Sequence, residues 1–389
     1  MEEINSSLKR LIQYIESENF KGYDPYDILT SPVNFKVFGK WGPPIATQIM
    51  KRLPVNIRPL LGVKKGYNPK GMGLFLQAYC SLYQQTKEAK YLEKADWLFN
   101  WLVSNYSEGY SGMCWGYNFP WASPKEYKNA WLPSVVVTNQ VHEGLYHYYQ
   151  VTGNEKAKKT IISVADYIRK DIPVTRFPEG VSFAYTHQTK SACYNASLHA
   201  AEILARAAKV SGNEPDPLIK EAMAFVLSRQ KEDGSWYYSL DPERGTERKQ
   251  IDFHQGFVLV SLHNLLEMTG FLPEETKAAI LKGSKFYKEQ QFEPNGRSLW
   301  RLPARWPVDI HNQSQGIITF SLLKDYDPSY LPFAQTIANY TIQHMQSPKG
   351  YFYYRLTPLF KNKIPYIRWS QAWMMVALAE LNTLQPIAT

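Results

Sequence analysis

One unit recurs about six times along this 389-residue chain. An amphipathic helix leads into a long loop holding a glycine and aromatic residues, and a second, more apolar helix then opens on a polar cluster. A period of about 50–65 residues constrains the fold more than any motif, because a helix pair buries its apolar face only against neighbouring pairs. The loops echo one another in Gly112-Met113-Cys114-Trp115-Gly116-Tyr117, Gly180-Val181-Ser182-Phe183-Ala184-Tyr185, Asp233-Gly234-Ser235-Trp236-Tyr237-Tyr238, Asn295-Gly296-Arg297-Ser298-Leu299-Trp300 and Gly350-Tyr351-Phe352-Tyr353-Tyr354. Glycine supplies the turn, and the aromatic run predicts a short extended stretch that lays rings across one end of the molecule.

The second helices open on Asn68-Pro69-Lys70-Gly71, Thr138-Asn139-Gln140, Cys193-Tyr194-Asn195, Asp252-Phe253-His254-Gln255, Asp309-Ile310-His311-Asn312 and Arg368-Trp369-Ser370-Gln371. The run after Gly256 is apolar on nearly every side, which predicts a buried helix. The first helices are two-faced: over 218–229, Leu218, Ile219, Ala222, Phe225 and Val226 form a stripe while Lys220 and Glu221 point away. Similar stretches at 4–16, 91–105, 155–169, 274–289 and 330–345 complete six outer helices around six inner ones. The expected fold is all-α, an (α/α)6 toroid of six helical hairpins. Inner-to-outer turns such as Thr152-Gly153-Asn154 are short, whereas outer-to-inner loops run about 15–25 residues, longer than ordinary helix connections. These long loops all fall on one face, where the inner helices start, and that face is the expected site.

No linker or charge block interrupts the repeat, so residues 1–389 read as a single toroid domain. The segment 20–70, rich in proline and glycine, reads as an ordered strap over the groove face. Tyr23, Asp24, Asp27 and Trp41 are its candidate contacts; the plainer reading is a strap that fills one side of the ring. Cys80, Cys114 and Cys193 form no disulfide framework. With a charged N-terminus and no apolar run long enough to span a bilayer, they point to a cytoplasmic location without a transmembrane segment. The net charge is +9, and Arg244, Arg248, Arg301, Arg305 and Arg368 lie in the long loops. Beside helix N-termini they favour an anionic ligand, unless they only confer solubility. No nucleic-acid module is present. Aromatic residues make up 14% of the chain, and rings lining a groove either stack on sugar faces or plug the end of the ring.

The sharpest chemical signal is Asp-x-His at the same place in two adjacent repeats, Asp252 with His254 and Asp309 with His311. A carboxylate beside an imidazole fixes its tautomer and raises its basicity, as acid–base catalysis requires. The alternative is that both aspartates are N-caps. Glu143 is a further candidate carboxylate, or else a first-turn residue stabilised by the helix dipole. Candidate substrate contacts are Gln255, Gln315, Arg368, Trp369, Gln371, Tyr194, Asn195, His142, Trp236 and Trp115. No metal-ligand spacing and no cofactor motif is present. His147, His199, His263 and His344 lie within helices and read as structural.

Three resemblances follow from these residues. Gln230 to Trp236 resembles the Q-x-x-x-G-x-W repeat of triterpene cyclases, which are also helical toroids, but the Asp-rich motif those enzymes need is missing. The ring of repeats resembles the six-hairpin glycosidase-like superfamily, which holds glycoside hydrolases, unsaturated-uronyl hydrolases, sugar epimerases and polysaccharide-lyase domains. The stretches Gly22-Tyr23-Asp24-Pro25-Tyr26-Asp27 and 58–71, with Asp252-Phe253-His254-Gln255-Gly256-Phe257, are similar to a VpsJ-like family linked with surface-polysaccharide biosynthesis. Some members of that family carry the name delta-aminolevulinic acid dehydratase. The chain shows neither the βα alternation nor the clustered cysteines of that enzyme. The resemblances imply a carbohydrate-active enzyme on an oligo- or polysaccharide, uronate-bearing by its charge: a hydrolase, lyase or epimerase. A non-catalytic glycan-binding or scaffold protein is the alternative. Oligomeric state is not readable.

Overall fold

The computed structural model describes residues 2–123, 126–190 and 192–384. Its helices are α1 (Glu2–Ser17), α2 (Gly42–Arg52), α3 (Pro69–Thr86), α4 (Ala89–Ser104), α5 (Val135–Thr152), α6 (Glu155–Asp171), α7 (Tyr194–Ser211), α8 (Pro217–Leu227), α9 (His254–Thr269), α10 (Pro273–Gln291), α11 (Ile310–Leu322), α12 (Tyr330–Met345) and α13 (Trp373–Thr383). A π-helical stretch, Ile367–Ala372, leads into α13.

The helices close into an (α/α)6 toroid. Helices α3, α5, α7, α9, α11 and α13 form the inner ring; each packs on the next, and α13 packs back on α3. Helices α1, α4, α6, α8, α10 and α12 lie outside. Between α3 and α5 the approach is very close, because a side chain at Gly73 or Gly144 would strike the backbone opposite. Short turns end α5, α7 and α9 with left-handed Gly153, Gly212 and Gly270, whose open φ a side chain would strain.

The sequence repeat has a physical cause. In each aromatic loop the glycine lies against the backbone of the next outer helix. A Cβ at Gly112 would meet the carbonyl of Ser163, at Gly180 that of Glu221, at Gly234 that of Lys282, at Gly296 that of Thr336 and at Gly350 that of Arg10. A polar side chain from the following inner helix then clamps the loop backbone. Gln255 accepts from Trp236 N–H (2.9 Å) and donates to Trp236 C=O (2.5 Å). Gln371 does the same to both groups of Phe352 (2.8 and 2.9 Å). Gln313 accepts from Ser298 N–H and donates to the Gly296 carbonyl. Thr138 serves both groups of Trp115, and Ser197 accepts from Phe183 N–H. Among the five aromatic runs only Gly180–Phe183 is a strand, paired with Val174–Phe177. Three of the other loops are extended only at a single bridge, Gly116 with Pro133, Ser298 with Phe292 and Phe352 with Gln346, so the expected extended stretches are mostly one bridge long and rely on these side chains as well.

Small sheets tie neighbouring loops at the mouth. Ala192–Cys193 pairs with Ser239–Asp241, which pairs with Thr246–Arg248. Val308–Asp309 pairs with Arg355–Leu356, setting Asp309 opposite Arg355. The segment between α1 and α3 crosses the same face, with Ile28, Met50 and Val63 as a core of its own. Arg58 binds Asp27 within it (2.6 Å), and Ile367 N–H donates to Tyr23 C=O to fasten it to the ring. Among the described residues no helix is long and apolar enough to cross a membrane.

Replacing Gln371 with leucine would leave both buried polar groups of Phe352 unpaired. Each such group costs about 1–3 kcal/mol, so Gln371→Leu is expected to lower unfolding free energy by about 2–4 kcal/mol in urea denaturation.

Candidate active site

A cavity of about 290 Å³ opens at the centre of the long-loop face. The first turns of the inner helices supply its floor: Lys70 from α3, Val136 from α5, Asn195 from α7, His254 and Phe257 from α9, His311 from α11, and Arg368 and Trp369 before α13. Loop residues Tyr117, Trp121, Tyr185, Tyr238 and Trp300 form the walls, and Tyr26 and Lys51 of the strap close one side.

The two Asp-x-His segments converge here. Asp252 precedes the cap of α9, and its Oδ1 accepts from the His254 backbone N–H and lies 2.5 Å from His254 Nδ1. Its other oxygen accepts from Gln250 (2.6 Å) and faces Arg301 at 3.5 Å. Burial pushes the Asp252 carboxyl up, but the His254 imidazole outweighs that and holds it at about 2. Both imidazoles pack on one ring, Phe253: His254 is stacked at 4.4 Å and His311 tilted at 4.5 Å between centroids.

His311 has a different environment. It is buried among Phe253, Trp369 and Trp373, and both its ring nitrogens lack a partner among the described residues. Burial, then Lys70 and Arg368, pushes its pKa well below the usual value, so it is neutral. Asp309 is not its partner. That carboxylate is fully buried, caps α11 through His311 N–H, and receives Arg355 Nε (2.5 Å) and Trp369 Nε1 (2.8 Å). Asp309 is therefore an N-cap and an anchor for mouth residues, which corrects its reading as a group that meets substrate.

The mouth is electropositive. Lys51, Lys70, Arg248, Arg301, Arg355 and Arg368 line it, against Asp252 in the lining and Asp24 and Asp309 behind it. Arg368 is held bidentately by Asp24 of the strap (2.6 and 2.9 Å), so it anchors the strap as well as facing the cavity. Lys70 went unnoticed in the sequence. Its ammonium is buried over Trp373 (5.3 Å) and Phe257 (6.0 Å). Burial, then Arg368, pushes its pKa well below the usual lysine range against the pull of Asp24. Its place in the polar start of α3, equivalent to the other inner-helix starts, was the available signal. Tyr185 and Tyr238 were missed because tyrosines are too numerous for any one to stand out.

Other sequence candidates lie elsewhere. Gln255 and Gln371 are the backbone clamps described above. Trp115 and Trp236 are core residues whose indole N–H groups donate to Leu102 and Val226 carbonyls at the ends of outer helices. Tyr194 is buried with its hydroxyl on Glu247. Asn195 and Trp369 do line the mouth. Glu143 and Gln315 line a second cavity, about 790 Å³, that runs along the ring axis toward the C-terminal ends of the inner helices. Glu143 pairs there with Arg206, which also meets Glu202 (3.4 Å). A residue two turns into an inner helix points down the axis, away from the rim, and this geometry removes Glu143 from the mouth. His142 faces the outer layer, donating from Nε2 to Ile161 C=O (3.2 Å) with Arg206 near Nδ1. Gln230, from the cyclase-like motif, donates to the Gly234 and Ala279 carbonyls, a helix-end contact.

Comparison with known proteins agrees with the architecture. Residues 53–180 match the family of the beta-L-arabinofuranosidase GH127 catalytic domain. That segment spans α3 to α6 and does not reach Asp252, His254 or His311. Curated protein sequences gave no match. Among solved structures, a sugar epimerase from a ruminal bacterium superposes with a TM-score of 0.64 at 14% identity, covering 84% of this chain and 91% of that one. Cellobiose 2-epimerase from Bacillus thermoamylovorans gives 0.64 at 14%, over 83% and 90%. An unsaturated glucuronyl hydrolase specific for heparin gives 0.62 at 12%, over 98% and 96%. At such identities the shared property is the toroid fold.

Two expectations follow. Arg368→Met leaves Asp24 buried without its partner, at a cost of about 3–5 kcal/mol, so a large fall in thermal stability is expected by calorimetry. Burial, then Arg206, pushes His142 from 6.5 down to about 3, opposed by its bond to Ile161. The fold holds the neutral form, so this contribution is complete above pH 6.5 and is lost as pH falls toward 3. The urea midpoint should fall across that window, and His142→Gln should flatten part of the fall.

Proposed function

We propose that this chain is a carbohydrate-active enzyme that transfers a proton on an anionic, uronate-type sugar of a surface glycan. The observation that carries this reading is the pair of imidazoles on Phe253, one tied to Asp252 and one neutral without a partner among the described residues, in a mouth rich in arginine and lysine. With His254 Nδ1–H donating to Asp252, Nε2 keeps its lone pair and is a base. It takes the proton from the carbon beside the sugar carboxylate, and the electron pair moves into that group as an enolate. Asp252 stabilises the imidazolium that forms, and Arg301 and Arg248 offset the charge on the carboxylate. His311 N–H then gives a proton to the other face as its second nitrogen takes one from water and His254 releases its proton to solvent, giving an epimer; or the His254 imidazolium protonates a departing oxygen, giving an unsaturated product. Asn195 and Trp369 hold the sugar, and ring and strap act as one unit because Tyr26 and Lys51 complete the mouth.

Structural likeness to sugar epimerases and a glucuronyl hydrolase supports a saccharide substrate. Hydrolysis is the second reading, favoured by the match to the arabinofuranosidase catalytic domain. It ordinarily uses two carboxylates across the bond, and Asp252 is the one carboxylate among the described lining residues.

The test uses uronate-bearing oligosaccharides in deuterated water. Solvent deuterium should enter the carbon beside the carboxylate in an epimer, whereas that carbon should lose its hydrogen in an unsaturated sugar. His254→Ala and His311→Ala are each expected to lower turnover about 10²–10⁴-fold while glycan affinity is largely retained. New reducing ends with neither deuterium nor an unsaturated product would favour hydrolysis. Binding without turnover would make the chain a glycan-binding protein.

A further inference from the structure

The outer face of the strap carries an apolar patch that none of the described residues covers. Trp41, Ile45 and Ile49 recur at four-residue spacing into and along α2 and are 51%, 52% and 53% exposed, so they share one helical face. The opposite side of α2 is seated: Pro43, Pro44, Thr47 and Met50 are buried. The preceding 3-10 segment, Phe35–Trp41, folds back on the start of α2, since a side chain at Gly42 would meet the Phe35 carbonyl and Phe38 Cβ. It adds Val37 and Phe38, 71% and 70% exposed. Contiguous exposed apolar surface of this kind marks an interaction site.

Charge identifies the occupant. Residues 28–87 hold nine lysines and arginines and no aspartate or glutamate, which leaves 35 basic against 35 acidic residues in the rest of the chain. The whole net charge of +9 therefore sits in the strap and the helix that follows it. Lys36, Lys40 and Arg52 are exposed beside the patch, and Lys40 lies over the Trp41 ring at 6.0 Å. A second copy of the chain would bring like charges together across this face, which opposes self-association.

We propose that the outer face of the strap is a peripheral docking surface for an anionic lipid bilayer. Trp41 and Phe38 sit at the headgroup level, Ile45 and Ile49 enter the acyl boundary, and Lys36, Lys40 and Arg52 meet the headgroups. The helix lies in the interface rather than across it. Lys51, on the same helix, lines the mouth with Tyr26, so docking holds one rim of the cavity at the membrane. This inference does not depend on the reaction proposed above.

The test is flotation of the full chain with vesicles of phosphatidylglycerol and phosphatidylcholine, against vesicles of phosphatidylcholine alone. The chain should float with the anionic vesicles and far less with the neutral ones, and added salt should weaken the binding. Trp41→Ser combined with Ile45→Ser should lower binding about tenfold, and Lys36→Glu with Lys40→Glu should do so on anionic vesicles. These side chains are exposed, so the variants should melt like the parent chain. The proposal is overturned if the parent chain does not float, if the variants bind as it does, or if the apolar variant's only effect is to dissolve a dimer seen by sedimentation.

Discussion

The ring stands on a contact made in five of its six repeats: a loop glycine pressed on the next outer helix, with a side chain from the following inner helix holding the loop's backbone. Without the glycine the loop could not approach. Without the glutamine, threonine or serine its N–H and C=O groups would be buried unpaired. The two requirements together stitch outer helix, loop and inner helix of neighbouring units into one layer. They also fix where the mouth lies, because the same loops that are clamped at their middle present their later residues, Tyr117, Tyr185, Tyr238 and Trp300, to the cavity.

Around that mouth the chain balances buried charge by pairing across elements. Arg368 with Asp24 joins the last repeat to the strap, and Arg355 with Asp309 joins the two small-sheet strands that sit opposite each other. Asp24, Asp309 and Arg368 are buried and Arg355 is only slightly exposed, so each carboxylate depends on its arginine to offset its desolvation. Asp252 is the carboxylate set apart, because it is matched by an imidazole that still has a free nitrogen. A charge pair that immobilises both partners builds a wall. A carboxylate–imidazole pair leaves a group able to take a proton.

Much of this was legible in the residues. The 3.6-residue stripes of the outer helices and the near-continuous apolarity of the inner ones set the all-α toroid, and the loop lengths told which face would be open. Asp-x-His in adjacent repeats pointed to Asp252, His254 and His311, which do meet. What misled was the repeat itself. Trp115, Trp236, Gln255 and Gln371 recur with the same regularity as site residues because the clamp is built five times over. Recurrence marked architecture at those four positions, and only the packing of the rings and imidazoles at the mouth set Asp252, His254 and His311 apart from them.

The sequence by itself determined the six helix pairs of the ring, the open face and the basic strap, though not the helix α2 within that strap, because these follow from periodicity, turn residues and local charge. Only the tertiary structure decided that Asp309 is an anchor while Asp252 serves an imidazole, that Glu143 looks down the axis, and that Lys70 reaches the mouth without a carboxylate. Those outcomes depend on the rotation of each inner helix about its own axis and on which strand lies opposite. Both are set by close packing between segments distant in the chain, and no local pattern of residues encodes them.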